Sequence, residues 1–71
     1  MNRALINSSS IRALGYDPET HLLEIEFHSG SVYCYEQVPE QLVLNLLQAE
    51  SPGGYFNRIF KPCQFPYRQL L

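Results

Sequence analysis

The run Ser51-Pro52-Gly53-Gly54-Tyr55-Phe56-Asn57-Arg58, with Lys61 just beyond it, holds the residue types in this chain best suited to gripping an anion. A serine followed by a proline marks the start of a helix, where the first backbone N–H groups are free to donate. Two glycines without side chains let a phosphate come close to that backbone. Arg58 and Lys61 add positive charge, Asn57 adds an amide, and Tyr55 or Phe56 adds a flat ring on which an unpaired base can stack. Ser51, Gly53, Gly54, Tyr55, Phe56, Asn57, Arg58 and Lys61 are therefore the candidate RNA contacts. The plainer alternative is that Gly53 and Gly54 only permit a sharp reversal of the chain.

Other chemistries find less support. Catalysis by a thiol or hydroxyl needs a base and an orienting group within reach, and nothing in the sequence ties His21 or His28 to Cys34 or Cys63. The spacing of the two cysteines fits neither a Cys-x-x-Cys redox pair nor a zinc knuckle; a disulfide is geometrically open, and two free, buried thiols are the expectation. Both histidines are expected at exposed strand ends. Glu24 and Glu26 share a strand face, as solvated alternate positions do, without a sign of the pocket that acid–base work requires. No catalytic residue, metal site or cofactor is expected.

Composition narrows the rest. With 71 residues there is chain for one core, so residues 1–71 are expected to form a single domain. Hydrophobic residues at 45% and charged residues at 17% fit a packed globule rather than a disordered segment. The net charge of -2 excludes a protein that holds polyanions by total charge, so any nucleic-acid contact must be local. No apolar run approaches the roughly 20 residues of a membrane span. The amino-terminal segment Met-Asn-Arg-Ala-Leu-Ile lacks the apolar stretch of a secretion signal, which places the protein in the cytoplasm.

The elements that must position these residues are read from periodicity. Residues 11–16 alternate as a first strand ending at Tyr16, and Asp17-Pro18-Glu19-Thr20 supplies turn chemistry. Residues 21–27 put Leu23, Ile25 and Phe27 on one face and Leu22, Glu24 and Glu26 on the other. Val32–Tyr35 is a third strand. The orientation of Tyr33 and Tyr35 depends on the turn between these strands. A two-residue turn at Ser29-Gly30 makes them an exposed aromatic pair with Glu24 and Glu26. A three-residue loop with Gly30 left-handed puts them on the core face with Ile25 and Leu23, where ring area serves a small core.

After Val38 the period becomes helical. Pro39 and Glu40 suit a first turn, and Leu42, Val43, Leu46, Leu47 and Ala49 form a stripe at three-and-four spacing. Leu44 falls among the polar residues of the other face and is a candidate contact. A short helix begins after Ser51, Pro62 ends it, and Pro66 keeps the tail extended. The fold expected is α+β: a three-stranded antiparallel β-meander, then one long and one short helix packed on one face.

Charge is partitioned along this order. All seven acids lie in residues 17–50, which hold no Lys or Arg, whereas residues 51–71 carry Arg58, Lys61 and Arg68 and no acid. Tyr55, Phe56, Phe60, Phe65 and Tyr67 are interleaved with those three basic residues. They serve RNA contact or, on the plainer reading, complete the core while the cations offset the acidic middle.

Ser8-Ser9-Ser10-Ile11, Gly15-Tyr16-Asp17, Leu23, Phe27, Gly30, Tyr33-Cys34-Tyr35, Val38-Pro39 and the segment Ala49–Asn57, taken in this order and spacing, resemble the KTSC domain. This module is named after the C-terminal region of some lysyl-tRNA synthetases and also occurs as small stand-alone bacterial and phage proteins. The likeness runs over roughly residues 7–67 and departs from the family pattern at Pro62-Cys63. The family's Tyr-x-Tyr corresponds to Tyr33 and Tyr35, and its Ser-x-Gly, aromatic pair and Asn to Ser51, Gly53, Tyr55, Phe56 and Asn57. The resemblance implies a role near RNA. With no synthetase domain in these 71 residues, this copy is expected to act alone or through a partner. The expected function is thus a non-catalytic RNA-binding module, tRNA-like or single-stranded RNA being the ligand. The alternative is an adaptor that docks on a protein partner through the acidic middle, Leu44 or a free sheet edge.

Overall fold

The computed structural model describes residues 3–71; Met1 and Asn2, the first residues of the segment read for a secretion signal, lie outside the described residues. Five strands form one antiparallel sheet in chain order: β1 (Ala4–Leu5), β2 (Ile11–Asp17), β3 (Leu22–Phe27), β4 (Val32–Tyr35) and β5 (Tyr67–Gln69). Between β4 and β5 the chain forms helix α1 (Glu40–Gln48) and helix α2 (Pro52–Tyr55). Helix α2 runs on as a π-helical turn over Phe56–Phe60 and a 3-10 turn over Lys61–Cys63. The α+β class and the meander agree with the sequence, but the sheet has five strands rather than three. The two extra strands are the edges, two and three residues long, too short for an alternating pattern to declare itself.

Register decides which side chains meet. The Phe27 N–H donates to the Ser31 carbonyl at 2.9 Å and the Gly30 N–H to the Phe27 carbonyl at 2.9 Å, so His28-Ser29-Gly30 is a three-residue loop. Gly30 has φ +96°, a conformation that an L side chain adopts only with strain. This loop pairs Ile25 with Tyr33 and Leu23 with Tyr35, which puts both tyrosine rings on the core face. No atom crowds Gly30, so Gly30→Ala isolates the backbone term. It is expected to lower stability by about 1–2 kcal/mol in urea unfolding, with the chemical shifts of the other strands retained.

One irregularity reorders β2. Ile11 pairs with Phe27 and Ala13 with Glu26, so Arg12 is an extra, bulged residue. Ile11 and Leu14 therefore both face the helices, although a strict alternation separates them. Ala13 and Gly15 fall on the opposite face. The core that results holds Ile11, Leu14, Leu23, Ile25, Tyr35 and Val38 from the sheet side, Val43 and Leu46 from α1, and Phe56 and Phe60 from the helical turns. Leu47 of the expected stripe is exposed, as is Leu44. A nine-residue helix reaches the sheet through only one narrow seam.

The other face of the sheet is polar and charge-paired. Arg12 donates to Glu26 at 2.8 Å, and Arg3 lies 3.6 Å from Glu24 and 3.8 Å from Glu26. Exposed pairs of this kind add little stability, roughly 0–1 kcal/mol each. Ala13 and Val32, the cross-strand partners of Glu26, and Cys34, the partner of Glu24, are buried on this face. Burial first, and the Glu24 carboxylate second, push the Cys34 thiol up. The expectation of two buried thiols fails at Cys63, which is free but exposed at the end of the 3-10 turn.

Candidate functional site

The start of α2 is built as the sequence indicates, but its groups are spent on the fold. The Ser51 hydroxyl accepts the Gly54 N–H at 3.2 Å, the ordinary N-cap bond. Gly53 packs against the Ser8–Ser10 segment so closely that a Cβ there would overlap the Ser10 hydroxyl. The glycine serves close packing of the helix start on the loop that precedes β2, and no anion can enter that space. Arg58 curls back along its own helix, its Nε donating to the Gly54 carbonyl at 3.3 Å.

Phe56 corrects the expectation most plainly. Proposed from sequence as a stacking surface for a base, it is 4% exposed and lies inside an aromatic cluster. Its ring stacks on Phe60 at 5.1 Å and meets Phe27 and Tyr35 edge-on at 5.5 and 5.9 Å. Phe56 and Phe60 stand four residues apart on the helical turn, a spacing that puts both rings on one face, and that face packs into the core. Tyr55 is half-buried against the same core, so neither ring of the pair stands free.

The exposed remainder of the set, Asn57 and Lys61, joins residues from elsewhere. Lys61 stands at an open cleft of about 550 Å³ whose walls are Tyr33, Tyr35, Phe60, Phe65 and Tyr67, with Gln64 beside it. The strand β5 creates this cleft. It pairs Tyr67 with Tyr35, so the Tyr67 ring joins the two β4 tyrosines on one face, at 5.7 Å from Tyr33 and 5.6 Å from Tyr35. Tyr67 is 63% exposed, unlike Tyr35 at 7%. The same pairing puts Arg68 opposite Cys34, on the far face, so the three basic residues of the last third do not converge. A second, smaller cleft continues on the other side of Tyr33 and is lined by Phe27, Ser29, Ser31, Asn57 and again Lys61.

The sequence marks Tyr33 and Tyr35 and leaves their orientation to the turn; it does not unite Gln64, Phe65 and Tyr67 with them. The signal present in the sequence is the proline at 66, which keeps the following Tyr67 extended. The histidines are exposed at loops, His28 with its ring nitrogen 2.9 Å from the Ser8 carbonyl. Among the described residues no three His, Cys, Asp or Glu side chains gather as metal ligands, and no helix is long and apolar enough to cross a membrane.

Comparison with known proteins agrees with this architecture. The chain is 52% identical over 70 residues to an uncharacterized protein of Stutzerimonas stutzeri, covering 99% of each. It is 45% identical over 62 residues to a lysine–tRNA ligase of Nostoc, a match that takes in 87% of this chain and 11% of that enzyme. The crystal structure of a KTSC domain protein from Yersinia pestis superimposes with a TM-score of 0.91 at 36% identity, over 99% of this chain and 97% of that one. The family model for the KTSC domain matches residues 7–65, from the serine segment to the aromatic wall of the cleft, and the chain belongs to that family.

Proposed function

We propose that this protein is a non-catalytic module of the cytoplasm that binds unpaired RNA in the cleft between β4, β5 and the turn after α2. The observation that carries the reading is the lining itself: aromatic rings from three elements and a single cation, with no carboxylate. Bases of any identity have a face to stack, and one ammonium at the rim suits a backbone phosphate. Of the seven acids, Glu24 and Glu26 are paired with arginines on the opposite face of the sheet, and none lines this cleft. Kinship with part of a tRNA ligase supports an RNA ligand over a free metabolite. A second reading is that of a protein adaptor. It draws on Leu44 and Leu47, exposed one turn apart on α1.

Amide-shift titration with a short single-stranded RNA tests the first reading. Saturable shifts are expected at Tyr33, Lys61, Gln64 and Tyr67. Lys61→Gln should weaken binding about 5- to 10-fold and reduce the steepness of the salt dependence by about 0.7 in log–log slope. Arg58→Gln and Leu44→Asp should leave it unchanged. Absence of saturable shifts at low salt, or a larger loss from Arg58→Gln than from Lys61→Gln, contradicts the assignment of the cleft.

A further inference from the structure

Tyr33 divides the aromatic surface into two clefts of different character, and Lys61 lines both. On one side the ring is 5.7 Å from Tyr67, in a wall of aromatic side chains. On the other it meets Phe27 edge-on at 5.8 Å, and there Ser29, Ser31 and Asn57 join the rings of Phe27, Tyr35 and Phe56 in the lining. Lys61 is the one charged residue in either lining. A single cation shared by two adjoining recesses complements a ligand with one negative charge between two flat groups. That is the chemistry of two consecutive nucleotides joined by a phosphodiester.

Resting on the RNA reading above, we propose that the two clefts are successive nucleotide subsites. One unpaired base lies against Tyr67 in the larger cleft, the next lies beside Asn57 and Ser31 in the smaller one, and the Lys61 ammonium holds the phosphate that links them. The first subsite stacks and accepts any base. The second offers an amide and hydroxyls to a base edge and is where base preference arises. The smallest full ligand is therefore a dinucleotide.

The test compares adenosine 5′-monophosphate, the dinucleoside monophosphate ApA and a tetranucleotide on the intact protein, by calorimetry and amide shifts. ApA carries no more charge than the mononucleotide, so a gain in affinity reports the second base. ApA is expected to bind at least about 10-fold more tightly, since a stacked or seated base contributes about 1–3 kcal/mol. It should shift both Tyr67 and the Ser31–Asn57 side, whereas the mononucleotide shifts only the Tyr67 side. The exposed variant Asn57→Ala should bring ApA down toward the mononucleotide and leave the mononucleotide unaffected. Equal affinities with shifts in one cleft, while the tetranucleotide still binds, overturn the two-subsite arrangement and leave the RNA reading standing. No saturable binding by any of the three overturns both.

Discussion

Phe60→Ala is expected to leave the protein largely unfolded in water at 25 °C. Phe60 is 1% exposed, and its ring stands at the centre of the aromatic cluster, 5.0 Å from Tyr35, 5.1 Å from Phe56 and 5.1 Å from Phe65. Truncating a buried phenylalanine costs about 3–5 kcal/mol, through lost transfer energy and the cavity left behind. A single core in a chain of this length supplies a net stability of roughly the same size. Few neighbours can close the gap, because Tyr35 is pinned by the ladder to Leu23 and Tyr67, and Phe56 by the turn it begins. Far-UV circular dichroism with a urea series measures the loss directly. Phe60→Leu serves as the comparison: it keeps an apolar side chain in place and should cost far less, about 1–2 kcal/mol. If Phe60→Ala still unfolds cooperatively with a loss below about 1 kcal/mol, the ring does not organise the core as described. Phe60 also forms the back wall of the cleft proposed to bind RNA, so the leucine variant separates stability from binding. It should fold and yet bind RNA more weakly.

The parts of this fold that a reader of the sequence can reach are those with a repeating pattern. Leu23, Ile25 and Phe27 alternate without interruption, and the strand they form is central. Ser51 and Pro52 announce a helix start by their chemistry, and the cap bond is there. What escapes is set by single residues acting once. The bulge at Arg12 moves Ile11 and Leu14 onto one face, and nothing in the residue type of Arg12 signals it. The edge strand at Tyr67 is three residues long and follows a proline, so its pairing is decided by β4 and not by its own propensity. That pairing forms the cleft. Sequence proximity gathers Ser51, Gly53, Gly54, Tyr55, Phe56, Asn57, Arg58 and Lys61 into one patch, whereas in the folded chain Phe56 is buried with Phe60 and the exposed members that line the clefts are Asn57 and Lys61. The carriers of chemistry were visible by type, and their partners were hidden by long-range register.

Stability is expected to fall steeply between about pH 10 and pH 12, and Tyr35 is the main cause. Burial first, then the neighbouring Tyr33 and Tyr67 phenols, push the Tyr35 hydroxyl up to about 12, from an ordinary value of 10.0. The folded state thus holds its proton more tightly than the unfolded chain. As the pH passes 10 the unfolded chain releases that proton and the folded protein does not. The native state then binds more protons, and linkage requires stability to decrease with rising pH. The stabilisation present below the unfolded value is used up as the pH reaches the folded one. At 1.36 kcal/mol for each pH unit between the two, the loss is roughly 2–3 kcal/mol, a large share of what a small domain has. Tyr16, raised by burial and by Glu40 and Asp17, adds in the same direction; its hydroxyl donates to the Val38 carbonyl in the folded protein. Urea unfolding at intervals from pH 8 to pH 11.5, for the natural protein and for Tyr35→Phe, isolates the contribution. The phenylalanine variant keeps the ring and has no proton to lose. Its stability curve should be flatter, so that the two proteins diverge as the pH climbs past 10. Parallel curves across the range would show that the Tyr35 hydroxyl titrates alike in both states, and that the alkaline loss arises elsewhere.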